Sequence, residues 1–239
     1  MDAAITVVLL PGMDGTGRLF EPFIKELPAG LRPVVVSYPP DRALGYAELE
    51  PLVETAFPVA GSFLVLAESF SGALAMRIAA RGHPRLMAVV LVASFVRSPL
   101  SRWLSALRWL IGSWCFRFPL PAWAIRRLLA GGDAPHELIT AVRSAVATVA
   151  PYVMAKRLRA VLEVDGRSLL SLSRVPVLSI CGNQDRLVSP HNSDDLRALG
   201  ERLENVILEA PHLVLQRQPA AAAHVIGEFL RTKVPAIGT

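Results

Sequence analysis

A chain of 239 residues, 52% of them hydrophobic, suits one large α/β domain and is too apolar for disorder. Its formal net charge of +5 fits an acidic ligand, a membrane surface or simple solubility, and the scatter of its lysines and arginines argues against a nucleic-acid groove. Its two cysteines, Cys115 and Cys181, form no disulfide framework, and without C-x-x-C or H-E-x-x-H spacing neither a metal nor a zinc site is expected.

In chain order, the run Ile5–Leu10 predicts a first strand. No basic segment precedes it, so no secretory signal is read and a cytoplasmic location is expected. The loop Pro11-Gly12-Met13-Asp14-Gly15-Thr16-Gly17 follows, in which Asp14 is expected to hold its own backbone. A helix is predicted over Arg18–Leu27, a strand over Val34–Ser37 and a helix over Tyr46–Ala56. The third strand, Phe63–Ala67, runs straight into Glu68-Ser69-Phe70-Ser71-Gly72 and a helix over Ser71–Arg81. A strand that ends on a serine and reverses at once into a helix forms a nucleophile elbow, which tolerates only small neighbours. Ala67 and Ser71 stand where the pattern G-x-S-x-G has glycines. Ser69 alone would equally serve as a helix N-cap.

The alternation breaks after the fourth strand, Ala88–Ala93. Residues 94–174 show only helical patterns, over Ser101–Phe116, Ala122–Ala130, Pro135–Val149 and Tyr152–Val164. Trp103, Leu107, Leu110 and Trp114 recur at helical spacing, while Leu104, Trp109, Ile111 and Phe118 lie off that stripe. The surplus apolar surface predicts a cap over Ser69, with Trp103, Trp109 and Trp114 as substrate-binding residues of an acyl wall. Arg102, Arg108, Arg117, Arg126 and Arg127 flank it, as suits an anionic substrate or peripheral contact with a lipid surface.

The regular pattern then resumes. A fifth strand over Val177–Cys181 ends in Gly182-Asn183-Gln184-Asp185. Ser189 and Pro190 read as N-cap and N1 of a helix over His191–Gly200. A sixth strand over Val206–Glu209 leads to Ala210-Pro211-His212, and a last helix covers Ala220–Leu230. Apolar strands alternating with helices predict a mostly parallel sheet of about six strands, covered on both faces. Residues 1–93 and 175–239 form this core, and 94–174 form a helical cap inserted after the fourth strand.

Reactive groups of such sheets collect at the carboxyl ends of the strands. Those ends carry Ser69, Asp185 and His212, in that order. Separately, Asp185 also reads as a turn residue and His212 as a core histidine. His83, His136, His191 and His224 sit on helices or their ends and read as structural or solvated. Cys181 has no elbow around it, and Asp165 is the next acid should Asp185 not serve.

With the chain order Ser…Asp…His, each member following the expected strand, the sequence resembles the α/β-hydrolase family in its serine esterase/lipase-like branch. The resemblance implies Ser69 as nucleophile, His212 as base and Asp185 as the group that orients the imidazole. It also implies an oxyanion hole from the backbone N–H groups of Met13 and Phe70, and no cofactor. The loop Pro11–Gly17 with Glu68-Ser69-Phe70-Ser71-Gly72 is similar to a subset of microbial esterases and to the hydrolase part of plant phytyl ester synthases, which implies a lipophilic ester. The expected function is hydrolysis of small-molecule carboxylic esters with medium or long acyl chains. A thioesterase or acyltransferase acting on acyl-CoA or acyl-carrier substrates would use the same triad. A binding protein that kept the fold is the remaining class, and an intact triad argues against it.

Overall fold

Apolar runs become the strands of a single sheet, the inner ones buried on both faces. The computed structural model describes residues 5–99, 107–188 and 190–234. It places β1 (Ile5–Leu10), β2 (Leu31–Val35), β3 (Phe63–Glu68), β4 (Leu86–Val92), β5 (Val177–Gly182) and β6 (Leu203–Leu208) in the order β2-β1-β3-β4-β5-β6. All neighbours pair in parallel. Successive side chains point to opposite faces, so Val8 and Leu10 join one core cluster while Val7 and Leu9 join the other. The first cluster packs under α2 (Tyr46–Glu54) and α3 (Gly72–Arg81). The second packs under α1 (Glu21–Lys25) and the C-terminal helix Pro219–Lys233.

The strand order itself locates the crevice. From β1 the chain winds outward to β2, then returns past β1 to β3. Loops leaving β1 and β3 therefore diverge at their carboxyl ends, which is where parallel sheets bind ligands. Residues 11–17 and Ser69 occupy this switch point.

The edges differ most from the expected bounds. β2 starts at Leu31 rather than Val34, because its register is set by pairing Ile5 with Leu31 through Leu9 with Val35. Pro33 inside it is tolerated because an edge strand can leave one side of its ladder unpaired. β6, the other edge, is only half-buried and begins at Leu203. The helix expected over His191–Gly200 winds as 3₁₀ turns over Pro190–Arg202, interrupted where Gly200 takes a φ of 60°. The proposed N-cap Ser189 lies outside the described residues.

Between β4 and β5 the described residues contain no strand of the sheet. The segment holds α4 (Ala122–Ile125, running on into one π turn), α5 (His136–Ala147), α6 (Pro151–Glu163) and α7 (Arg167–Leu170). Its two ends meet in an antiparallel stem. Arg97 bridges Asp165, and Ser98 N–H donates to Val164 C=O at 3.0 Å. This stem closes inside the expected 94–174 span, so α7 falls on the sheet side, where Leu170 joins the core under α3. Of the single helix expected over Ser101–Phe116, the described part is two separate 3₁₀ turns, Leu107–Leu110 and Ser113–Phe116, divided at Gly112. Trp103 and Leu104 lie outside the described residues.

Candidate active site

At the end of β3 the backbone turns abruptly. Ser69 has a φ of 49°, in the left-handed region that side-chain-bearing residues avoid. Such a conformation costs on the order of 1–3 kcal/mol and persists only where neighbours enforce it. Here hydroxyl groups do so. Ser94 Oγ donates to Ser69 C=O at 2.7 Å, and Tyr46 OH donates to Phe70 C=O at 3.0 Å. Ser71 Oγ donates to Pro11 C=O and lies 2.6 Å from Tyr38 OH. Ser71, which replaces a glycine of the motif, thus ties the elbow to the loop after β1. Gly72 carries the demand for smallness instead, since a Cβ there would overlap Ser94 Oγ.

Three side chains distant in sequence converge on this turn. His212 Nε2 lies 2.9 Å from Ser69 Oγ, and His212 Nδ1 lies 2.7 Å from Asp185 Oδ2. With its proton on Nδ1, the imidazole donates to Asp185 and accepts from the serine hydroxyl. Asp185 Oδ1 accepts the amides of Leu187 at 2.8 Å and Val188 at 2.9 Å. Asp185 is therefore both a turn residue and the partner of the histidine. The loop bearing His212 is fastened to the insertion. Leu213 N–H donates to Leu129 C=O at 2.9 Å, and its side chain packs with Ile125, Ala130, Ile139 and Val142.

The remaining candidates lie elsewhere. His83 packs edge-on against Phe57 and Phe63, His136 opens α5, and exposed His224 lies beside Glu228. The side chain of His191 is outside the described residues. Asp165, the reserve acid, is bound at both oxygens by Arg167, whose hydrogen bonds hold its carboxyl at about 2. Among the described residues no group of three or more His, Cys, Asp or Glu is placed to hold a metal ion.

Sequence reasoning missed Arg157 of α6. It is 1% exposed, yet its guanidinium donates to Met13 C=O at 3.0 Å, Asp14 C=O at 2.8 Å and Pro39 C=O at 3.1 Å. The Tyr38 ring lies 5.6 Å away. An unpartnered buried cation would be prohibitive, so these carbonyls are what allow it to sit there. It braces the loop whose Met13 amide finds no acceptor among the described residues. Gly15, at φ 71°, passes so close that a Cβ would run into this guanidinium. Asp14 holds the turn as expected, its Oδ1 accepting Thr16 N–H at 2.9 Å.

Glu68 is a second buried acid beside the site. Its Oε1 accepts Gln216 Nε2 at 3.0 Å, and burial pushes its carboxyl up to about 7. Unfolded, a glutamate would release its proton near 4.5. Folding therefore retains a proton between these two values, so stability is full below the lower one and falls as pH rises through the higher. Glu68→Gln removes this dependence. Its stability advantage over wild type is expected to grow by about 2 kcal/mol between pH 5 and pH 8, read by denaturant unfolding. A difference that stays constant with pH would mean that Glu68 ionises normally.

Ser69 and His212 open into a cavity of about 240 Å³. Met13 and Phe70 border it on the sheet side, and Phe116, Leu120, Leu129, Val142, Val146, Met154, Leu158 and Val161 of the insertion form the opposite wall. The expected tryptophan wall is corrected here. Trp109 is 76% and Trp114 63% exposed, and neither lines this cavity. Trp109 borders a separate, mixed-polarity cavity with Arg77, Lys156 and Arg159. The helical stripe presumed one continuous helix, whereas the break at Gly112 and prolines 119 and 121 redirect each short turn. Trp103 lies outside the described residues.

A comparison with curated protein sequences gave no match. Several solved structures share the fold at low identity. An esterase from Exiguobacterium antarcticum superposes with a TM-score of 0.81 at 13% identity, covering 97% of this chain and 94% of its own. A thermophilic esterase from Thermogutta terrifontis gives 0.78 at 20% identity, with 96% and 90% covered. The enol-lactonase from Burkholderia xenovorans LB400 gives 0.78 at 18% identity, with 95% and 92% covered. Residues 7–225 match the profile of the alpha/beta hydrolase family, and with that match spanning almost the whole chain, the protein belongs to this family.

Proposed function

We propose that the protein is a serine esterase that cleaves carboxylic esters of medium-length acyl chains through an acyl-enzyme. One observation carries this reading: the hydrogen-bonded series Ser69–His212–Asp185 opens into an apolar cavity. A serine hydroxyl is a poor nucleophile without a base in reach. His212 takes the Ser69 proton as Oγ attacks the ester carbonyl, and returns it to the leaving alkoxide. Asp185 keeps the imidazole tautomer and stabilises the imidazolium. The Met13 and Phe70 amides receive the oxyanion. Water, deprotonated by His212, then releases the acid and restores the serine.

The cavity is small beside the several hundred Å³ of a drug-sized ligand site, which favours a single acyl chain. Each buried methylene contributes up to ~0.8 kcal/mol, or roughly fourfold in kcat/KM. Across acetyl to octanoyl esters kcat/KM is expected to rise, and Val146→Trp is expected to flatten the rise by filling the wall. Trp109→Ala should leave the slope alone. A flat series in wild type would remove the acyl site. Matched oxygen esters and thioesters, compared on the same chains, separate esterase from thioesterase.

A further inference from the structure

The stretch from Ser98 to Gly132 contains Arg102, Arg108, Arg117, Arg126 and Arg127 and no aspartate or glutamate. The whole chain has 25 basic and 20 acidic residues, so everything outside this stretch balances at 20 of each. The net charge of +5 is thus the charge of one stretch. All four tryptophans of the chain fall in it as well. Its described part exposes large apolar side chains: Phe118 at 84%, Trp109 at 76%, Trp123 at 68%, Leu110 at 65% and Trp114 at 63%. Exposed apolar groups gathered in this way mark a contact surface.

The inner side of the same stretch is already used. Phe116, Leu120 and Leu129 line the cavity that holds Ser69, while Trp114, Phe118 and Trp123, interleaved with them, remain exposed. The outer surface is therefore the back of the wall of the proposed acyl site. Its chemistry selects the occupant. Arg108 is paired with Glu163 and Arg126 bonds the Gly132 and Ala134 carbonyls, so exposed Arg117 and Arg127 carry the charge of this face. A second copy docked by two-fold symmetry would set them against their own kind, with no acid in the stretch to answer them. An anionic bilayer answers both features at once, because tryptophans settle at the headgroup level and arginines pair with lipid charge.

We infer that the face bearing Trp114, Arg117, Phe118, Trp123 and Arg127 docks the protein onto the surface of an anionic lipid bilayer, with the Ser69 cavity behind the docked wall. Docking itself stands apart from the esterase reading, and only the delivery of a lipid-borne ester to Ser69 rests on it.

The experiment uses the full chain carrying Ser69→Ala, so that binding is read without hydrolysis. It is sedimented with vesicles of phosphatidylcholine alone, or of equal parts phosphatidylcholine and phosphatidylglycerol. Binding to the mixed vesicles is expected, with a blue shift of tryptophan emission and weakening by salt. The pairs Phe118→Ser with Trp123→Ser, and Arg117→Glu with Arg127→Glu, are each expected to weaken binding on the order of tenfold or more. Placed in the wild-type background, both pairs should keep kcat on a soluble short-chain ester, which shows that they fold. Absence of binding to the mixed vesicles, or equal binding by both pairs, would overturn the inference. So would a lipid-free dimer that either pair dissolves, since the face would then be an interface between copies. Vesicle binding in a protein without esterase activity would leave the docking intact and remove the esterase reading alone.

Discussion

Ser69→Ala is expected to lose on the order of a million-fold in kcat, as serine hydrolases do when the nucleophile is removed. The expectation rests on geometry. Ser69 Oγ is 2.9 Å from His212 Nε2 and borders the cavity, whereas the Cys181 thiol is buried in β5. A fluorophosphonate should label wild type on Ser69, read by mass spectrometry, and leave Ser69→Ala unlabelled. Ser69→Gly should be equally inactive yet more stable by about 1 kcal/mol, because glycine adopts a φ of 49° without strain. Turnover near the wild-type rate in Ser69→Ala, or an adduct on another residue, would end the triad mechanism.

Asp185→Asn is expected to reduce kcat roughly ten-thousandfold while the fold survives. The two oxygens of Asp185 have different duties. Oδ1 accepts two backbone amides, from Leu187 and Val188, and Oδ2 faces His212 Nδ1. An asparagine would leave its carbonyl with the amides and turn its NH₂ toward the ring. The imidazole would then have to accept at Nδ1 and carry its proton on Nε2, where it has no lone pair left for the Ser69 proton. Asp185→Ala should differ. It would leave the buried Val188 amide and the part-buried Leu187 amide without an acceptor and lower stability by about 1–3 kcal/mol as well. Thermal melts beside kcat separate the two variants. A loss of less than tenfold in Asp185→Asn would mean that the acid does not set the tautomer.

What the sequence determines on its own is whatever short-range pattern encodes. The elements β1, β3 and β5 are legible as apolar runs because both of their faces are buried, and so are the turns that follow them. Ser69 with Ala67 and Ser71 two residues to either side, Asp185 in a polar turn and His212 after Ala210-Pro211 can be named for the same reason. Edge strands blur because half of each faces water, as β2 and β6 show. What only the tertiary structure decided is everything that depends on distant partners. Arg157 lies in a predicted helix with nothing local to mark it as buried, since its carbonyl partners lie 118 to 144 residues away, in the loops after β1 and β2. Ser71 reads as a flaw in the motif, and becomes the link between the elbow and Pro11. The tryptophans read as an acyl wall because a periodicity presumes an unbroken helix. Chain breaks at Gly112 and the prolines turn Phe116 and Leu120 inward and leave Trp109 and Trp114 outside. Local pattern states what a segment prefers, while the path of the backbone decides which of its faces meets the site.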